Sequence, residues 1–142
     1  MLIGLHPLLT PDLLHALAAM GHGDTIALVD ANYPATRGKR LIPMPGAGVA
    51  AVLEAALTLL PLDTFIPDPA IVMDVVDESG TIPPAVADIN AVLRARGAKP
   101  AKAMERFAFY EAANSAYAIV HTGERRFYGN IILTKGVIPP EA

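Results

Sequence analysis

Four short apolar runs set the main constraint on the fold of this chain: "TIALVD" (25–30), "AIVMDVV" (70–76), "YAIVHTG" (117–123) and "NIILTKG" (130–136). Runs of this length, rich in Ile and Val and without strict alternation, are what strands covered on both faces require. Covering both faces takes helices, and the segments between the runs carry helical periodicity. The alternation predicts an α/β fold: a single-domain α/β/α sandwich over 1–142 with a mixed, largely parallel sheet. No internal repeat, low-complexity tract or long linker divides it.

The helical segments carry their own punctuation. In "LLTPDLLHALAAMG", Thr10 can cap the helix, Pro11 takes the first helical position and Asp12 meets the positive end of the dipole. Leu13, Leu14, Leu17 and Met20 form an apolar stripe, and Gly21 is the expected stop. Over 47–60, Val49, Val52, Leu53, Ala56, Leu57 and Leu60 recur at helical spacing until Pro61. "PAVADINAVLRARG" reads as a helix ending at Gly97, and "MERFAFYEAANSA" as a strand end followed by a short helix. "ANYPATRGK" (31–39) and "DESGTIPP" (77–84) read as a loop and a turn.

Charge and composition exclude several classes of function. A net charge of −3 without a basic cluster argues against nucleic acid as a partner. Apolar residues make up 53% of the chain and the mean hydropathy is +0.40. Yet the longest apolar stretch, "GVAAVLEAALTLLPL", is interrupted by Glu54 and closed by Pro61, too broken to cross a bilayer. The surplus predicts extra buried surface, and subunit contacts are the place for it. No cysteine is present, so disulfides, a thiolate nucleophile and a zinc ribbon are excluded, and a reducing cytoplasm is the default reading. The start "MLIGLHPLLTPD" has no cationic residue before its apolar stretch and carries Pro7 and Pro11, so no signal peptide is expected.

Few residues remain that could carry chemistry. His22 stands between Gly21 and Gly23, and imidazole is the side chain that most readily exchanges a proton near neutrality. A solvated turn histidine would look the same. Asp30 closes an apolar run, where a carboxylate either caps the next turn or holds ligand hydroxyls. Arg106 and Tyr110 share a face if "ERFAFYE" is helical; they are either ligand groups or an Arg beside an aromatic core. "FYGN" places Tyr128, Gly129 and Asn130 before the last strand, as a plain connection or as a pocket wall. "GAG" at 46–48 completes no phosphate loop. The histidines show no metal-ligand spacing, and neither Ser79 nor Ser115 sits in a nucleophile elbow. In α/β sheets, ligands sit beyond the carboxyl ends of the strands. Asp30 falls there but His22 falls at the opposite end, so one subunit unites them only if the turn folds back or a neighbour completes the site.

Taken together, "LLTPDLLHALAAMGHGDTIALVDANYP", "LLPLDTF", "VMD", "ERFAFYE", "AIVHTGE" and "YGNIILTKGV" resemble, in order, the blocks of the L-fucose mutarotase branch of the RbsD/FucU family, from about Pro7 to Val137. Agreement is weakest after Pro34 and around 77–100. The resemblance implies an RbsD-like fold and an isomerase that interconverts the α and β anomers of L-fucose or a similar free monosaccharide, with no cofactor and no metal. It implies His22 as proton donor, Asp63 and Tyr110 in catalytic roles, and Asp30, Met73, Arg106, Tyr128, Gly129 and Asn130 as substrate-binding positions. It also implies a ring of subunits, commonly a decamer in bacteria, with sites near subunit boundaries. Arg106 and "FAFYE" favour the fucose type over a D-ribose pyranase, which tends to carry His at the Arg106 position. A D-ribose pyranose/furanose isomerase and a non-catalytic sugar-binding oligomer are the alternatives.

Overall fold

A computed structural model of the chain describes residues 1–141. Its centre is one six-stranded sheet in the order β2-β5-β1-β6-β3-β4. The strands are β1 (Thr25–Val29), β2 (Leu41–Met44), β3 (Ala70–Met73), β4 (Lys102–Met104), β5 (Ala118–Thr122) and β6 (Ile131–Thr134). β1 pairs in parallel with β5, β5 with β2, and β3 with β4, while β6 runs antiparallel to β1 and β3. Five strands therefore point one way and β6 alone is reversed, as the expected mixed, largely parallel sheet requires.

Helices cover both faces. Along β1, Ile26 and Leu28 face one apolar cluster and Ala27 and Val29 the other, the period-two alternation of a strand buried on both sides. The first cluster receives α1 (Pro11–Ala19), α2 (Val49–Leu57) and α3 (Pro84–Ala95) through Leu13 and Leu17, Val52 and Leu53, and Ile89 and Leu93. The second receives α4 (Arg106–Asn114) through Phe109 and Ala113.

Local chemistry explains the boundaries. The Leu13 N–H donates to Thr10 Oγ1 (3.3 Å), which caps α1 as expected. The stop differs from expectation. Met20 already leaves the helix in an extended conformation, Gly21 donates its N–H to Asp24 Oδ2 (2.7 Å), and Gly23 rather than Gly21 takes the positive φ. α2 is shorter than 47–60, bounded by Gly48 and Thr58. β2 lies in a segment whose sequence carries no clear strand pattern. It is an edge strand with only Ile42 and Met44 buried, and an edge tolerates the exposed Pro43.

This topology sorts the loops. Five parallel strands deliver their carboxyl ends to one edge of the sheet. The reversed β6 delivers its beginning to that same edge, since Ile131 lies opposite Leu28 of β1 and Val72 of β3. The end of β6 reaches the opposite edge, where Lys135 bridges to Leu62.

Candidate active site

Two polar clusters result, one at each edge, and the candidate residues divide between them. At the carboxyl edge lies a cavity of about 240 Å³ lined by Asp30, Asn32, Tyr33, Pro34, Met73, Arg106, Tyr110, Phe127, Tyr128 and Asn130. It is smaller than the roughly 300 Å³ at which drug-sized pockets begin, which suits a small polar ligand. Asp30 enters from the end of β1, Met73 from the end of β3, and Arg106 and Tyr110 from the first turns of α4. The helical reading of "ERFAFYE" is borne out, and it places Arg106 and Tyr110 on the same wall.

The Tyr128–Asn130 turn closes the cavity and is held from three sides. Asp30 donates its N–H to Asn130 Oδ1 (2.8 Å), and Val76 donates its N–H to the Tyr128 hydroxyl (3.2 Å). Tyr128 has a φ of 63°, and a Cβ on Gly129 would fall 2.6 Å from Glu124 Cγ, so the turn needs glycine at that position. Glu124 is buried and fixed by Arg126, whose Nε and Nη2 donate to its two oxygens (3.2 and 2.9 Å), while Arg126 Nη1 reaches Asp88 Oδ2 (2.7 Å). The Glu124 carbonyl accepts the Ala31 N–H (2.8 Å), tying the Asp30 loop to the same support.

The electrostatics of this cavity are unbalanced. Burial pushes the Asp30 carboxyl above its ordinary value, and hydrogen bonds from Asn32, Asn130 and Gly129 only partly offset it. Arg106 lines the same cavity, yet among the described residues no ion pair joins it to Asp30, and its Nε is buried without a hydrogen-bond partner. A carboxylate and a guanidinium facing one cavity without meeting each other are a fork and an acceptor for a ligand rich in hydroxyls.

At the opposite edge, His22 Nε2 lies 3.1 Å from Asp63 Oδ1. Asp63 is buried, and its Oδ1 also accepts the Phe65 N–H (3.0 Å). That backbone bond, followed by His22, holds its carboxyl below the ordinary value against the effect of burial. His22 is half exposed, with its ring 5.3 Å from that of Phe65. β1, five residues long, separates the clusters by a distance on the order of 20 Å. The turn does not fold back: His22 and Asp30 remain apart within one chain.

Sequence reasoning missed Asn32, Tyr33 and Pro34 as cavity walls, as well as the Glu124–Arg126–Asp88 support. Asn32 and Tyr33 were within reach, since they follow Asp30 in the same loop. The support was not, because its members are joined only by the fold. Among the described residues no group of three or more His, Cys, Asp or Glu side chains could hold a metal ion, and no helix is long and apolar enough to cross a membrane.

Comparison with known proteins matches residues 3–138 to the RbsD / FucU transport protein family. The fucose mutarotase of Homo sapiens is 48% identical over 143 residues, covering 95% of this chain and 93% of the relative. The L-fucose mutarotase of Actinobacillus pleuropneumoniae serotype 5b is 43% identical, covering 98% of this chain and 99% of the relative. Among solved structures, a fucose mutarotase from Streptococcus pneumoniae in complex with L-fucose superposes with a TM-score of 0.91 at 38% identity, over 97% of this chain and all of that one.

Proposed function

The chain belongs to the RbsD/FucU family, and from that premise we propose how it works as an isomerase that interconverts the anomers of L-fucose. The observation that carries the reading is the cavity where Asp30 and Arg106 face the same space with no ion pair between them, the Arg106 Nε being buried without a partner. Free sugars offer the donors and acceptors that such a pair lacks.

The reaction needs no cofactor. A proton reaches the ring oxygen while the anomeric hydroxyl gives one up, the bond between ring oxygen and C1 breaks, and the open aldehyde forms. Rotation about the C1–C2 bond and reclosure on the other face give the second anomer, with both protons returned. Asp30 and Arg106 hold the sugar hydroxyls, Met73 and the Tyr128–Asn130 turn form the walls, and Tyr110, on the same wall as Arg106, assists one transfer. His22 is the acid. Asp63 works through it, holding Nε2 so that Nδ1 is the free nitrogen of the ring.

Since His22 and the sugar cavity sit at opposite edges of the sheet, His22 serves the cavity of a neighbouring copy. Two features support this. His22 is half exposed although its partner Asp63 is buried. Beside the pair lies an apolar groove of about 540 Å³ including Leu2, Leu14, Leu59, Pro61, Gly136 and Ile138, next to the exposed Phe65 and Val137. Apolar surface of that extent fits a subunit contact. The assembly we propose is a closed ring of copies, which the resemblance drawn from the sequence puts at ten, working in the cytoplasm.

Saturation transfer between anomeric protons, measured by NMR on L-fucose and D-ribose with catalytic amounts of protein, tests the activity. Transfer is expected with L-fucose. Its absence with both sugars would refute the reading, and transfer with D-ribose alone would move the assignment to the pyranase type.

A further inference from the structure

Among the described residues, two buried side-chain polar atoms have no hydrogen-bond partner: Arg106 Nε and the Tyr33 hydroxyl oxygen. Both residues line the Asp30 cavity. Buried polar groups are paired almost without exception, so an orphan at a cavity wall points to a partner that arrives with the ligand. Arg106 is already part of the site as drawn above. Tyr33 is not.

We propose that the Tyr33 hydroxyl is a specificity-determining contact, pairing with one particular hydroxyl of the bound sugar. The inference rests on reading the cavity as a monosaccharide site. Tyr33 is 5% exposed, and its backbone is anchored by donation of its N–H to the Asp30 carbonyl (3.2 Å). Its ring is set edge-on to Phe109 (6.2 Å between centroids) and Tyr110 (5.4 Å). A phenylalanine would fill that slot equally well and would leave nothing unpaired, so the hydroxyl does not serve the packing. Burial, followed by the proximity of Tyr110 and Asp30, pushes the phenol far above its ordinary value. The group therefore stays an O–H at neutral pH, a hydrogen-bonding contact and not an acid or base of the reaction. Its oxygen is closed to solvent although the residue lines the cavity, behind the half-buried Tyr110 whose ring stands edge-on to it.

The test compares wild type with Tyr33→Phe on four probes: L-fucose and its 2-, 3- and 4-deoxy analogues. Dissociation constants, anomer-exchange rates and melting temperatures without sugar are measured for each protein. Losing one neutral hydrogen bond predicts L-fucose affinity lower by roughly three- to tenfold in Tyr33→Phe, with the exchange rate at saturation changed by less than about twofold. Wild type should bind one of the deoxy analogues more weakly by a similar factor, and Tyr33→Phe should bind that analogue and L-fucose equally. Without sugar, the variant should melt at the same temperature or higher. Unchanged L-fucose affinity, or the same ranking of the four sugars in both proteins, overturns the proposal. So does a lower melting temperature without sugar, which would place the hydroxyl's partner in the protein. A wild-type protein that binds none of the four overturns the reading of the cavity, and this inference with it.

Discussion

Asp30 and Asp63 are both buried carboxylates beside the ends of central strands, and the fold treats them in opposite ways. Asp63 is complete within the chain: a backbone N–H and His22 converge on one of its oxygens, and its carboxyl is held low. Asp30 is incomplete: its carboxyl is pushed up by burial, and the guanidinium that shares its cavity is not bonded to it. A carboxylate whose hydrogen bonds are complete positions something else, here the histidine it grips. An unfinished set of charges awaits a ligand. In the mechanism proposed above, one end of the molecule holds the proton-transfer group and the other holds the sugar.

The largest effect that could break this comparison is expected at His22. His22→Ala should slow L-fucose anomer exchange by about 10²- to 10⁴-fold, the usual contribution of a positioned acid–base group. L-fucose affinity at the Asp30 cavity should change little, as titration calorimetry would record. Arg106→Ala should show the reverse pattern. Losing charge-assisted hydrogen bonds predicts affinity weaker by roughly 10- to 100-fold, with little recovery in Arg106→Lys because an ammonium lacks the planar fork.

Gly136→Ala tests the mechanical side of the Asp63 end. A Cβ there would lie 2.7 Å from both the Asp63 Cα and the Leu62 carbonyl oxygen, and backbone cannot swing aside. A loss of about 1–3 kcal/mol is expected in denaturant unfolding, together with slower exchange as Asp63 is displaced from His22. Gly129→Ala would set its Cβ 2.6 Å from the Cγ of Glu124, a side chain pinned by Arg126, and should weaken both the fold and L-fucose binding as the Tyr128–Asn130 turn is displaced.

The smallest effects, and the sharpest, are in the pH dependence of stability. A carboxyl whose folded pKa is raised favours the fold while protonated and loses that contribution as pH rises through the folded value. Asp30→Asn keeps the neutral form at every pH, so its melting temperature at pH 7 should equal or exceed that of wild type while L-fucose binding falls. A carboxyl whose folded pKa is lowered contributes above its ordinary value and loses that contribution as pH falls. Asp63→Asn should therefore melt lower than wild type at pH 7, with the gap closing in acid. Melting curves of the three proteins from pH 3 to 7 would show the two variants diverging in opposite directions.

How much of this could be read from the sequence follows from where the information lies. The α/β class and three of the four helices follow from periodicity, since fully covered strands and amphipathic helices announce themselves. β2 does not, because an edge strand buried only at Ile42 and Met44 and carrying Pro43 has too weak a pattern. Asp30, Arg106, Tyr110 and Asn130 stood out as polar residues in telling places, but their convergence depends on the reversed β6, which no local signal encodes. The His22–Asp63 contact spans 41 residues and depends on the Leu62–Lys135 bridge, so spacing could not reveal it. Asp63 was visible only through resemblance. The separation of His22 from Asp30, by contrast, was legible at once from their positions on either side of one strand.

The central claim is that the two ends act together only across a subunit boundary, and co-assembly of two crippled variants tests it directly. His22→Ala lacks the acid and Arg106→Ala lacks the clamp, so each alone should show little exchange at moderate L-fucose concentration. Co-expressed and purified as mixed assemblies, random pairing should restore about a quarter of the sites with both groups intact, and exchange by NMR saturation transfer should recover to about that fraction of wild type. Mixed assemblies no more active than the sum of the two variants would contradict the account and return both halves of the chemistry to a single chain.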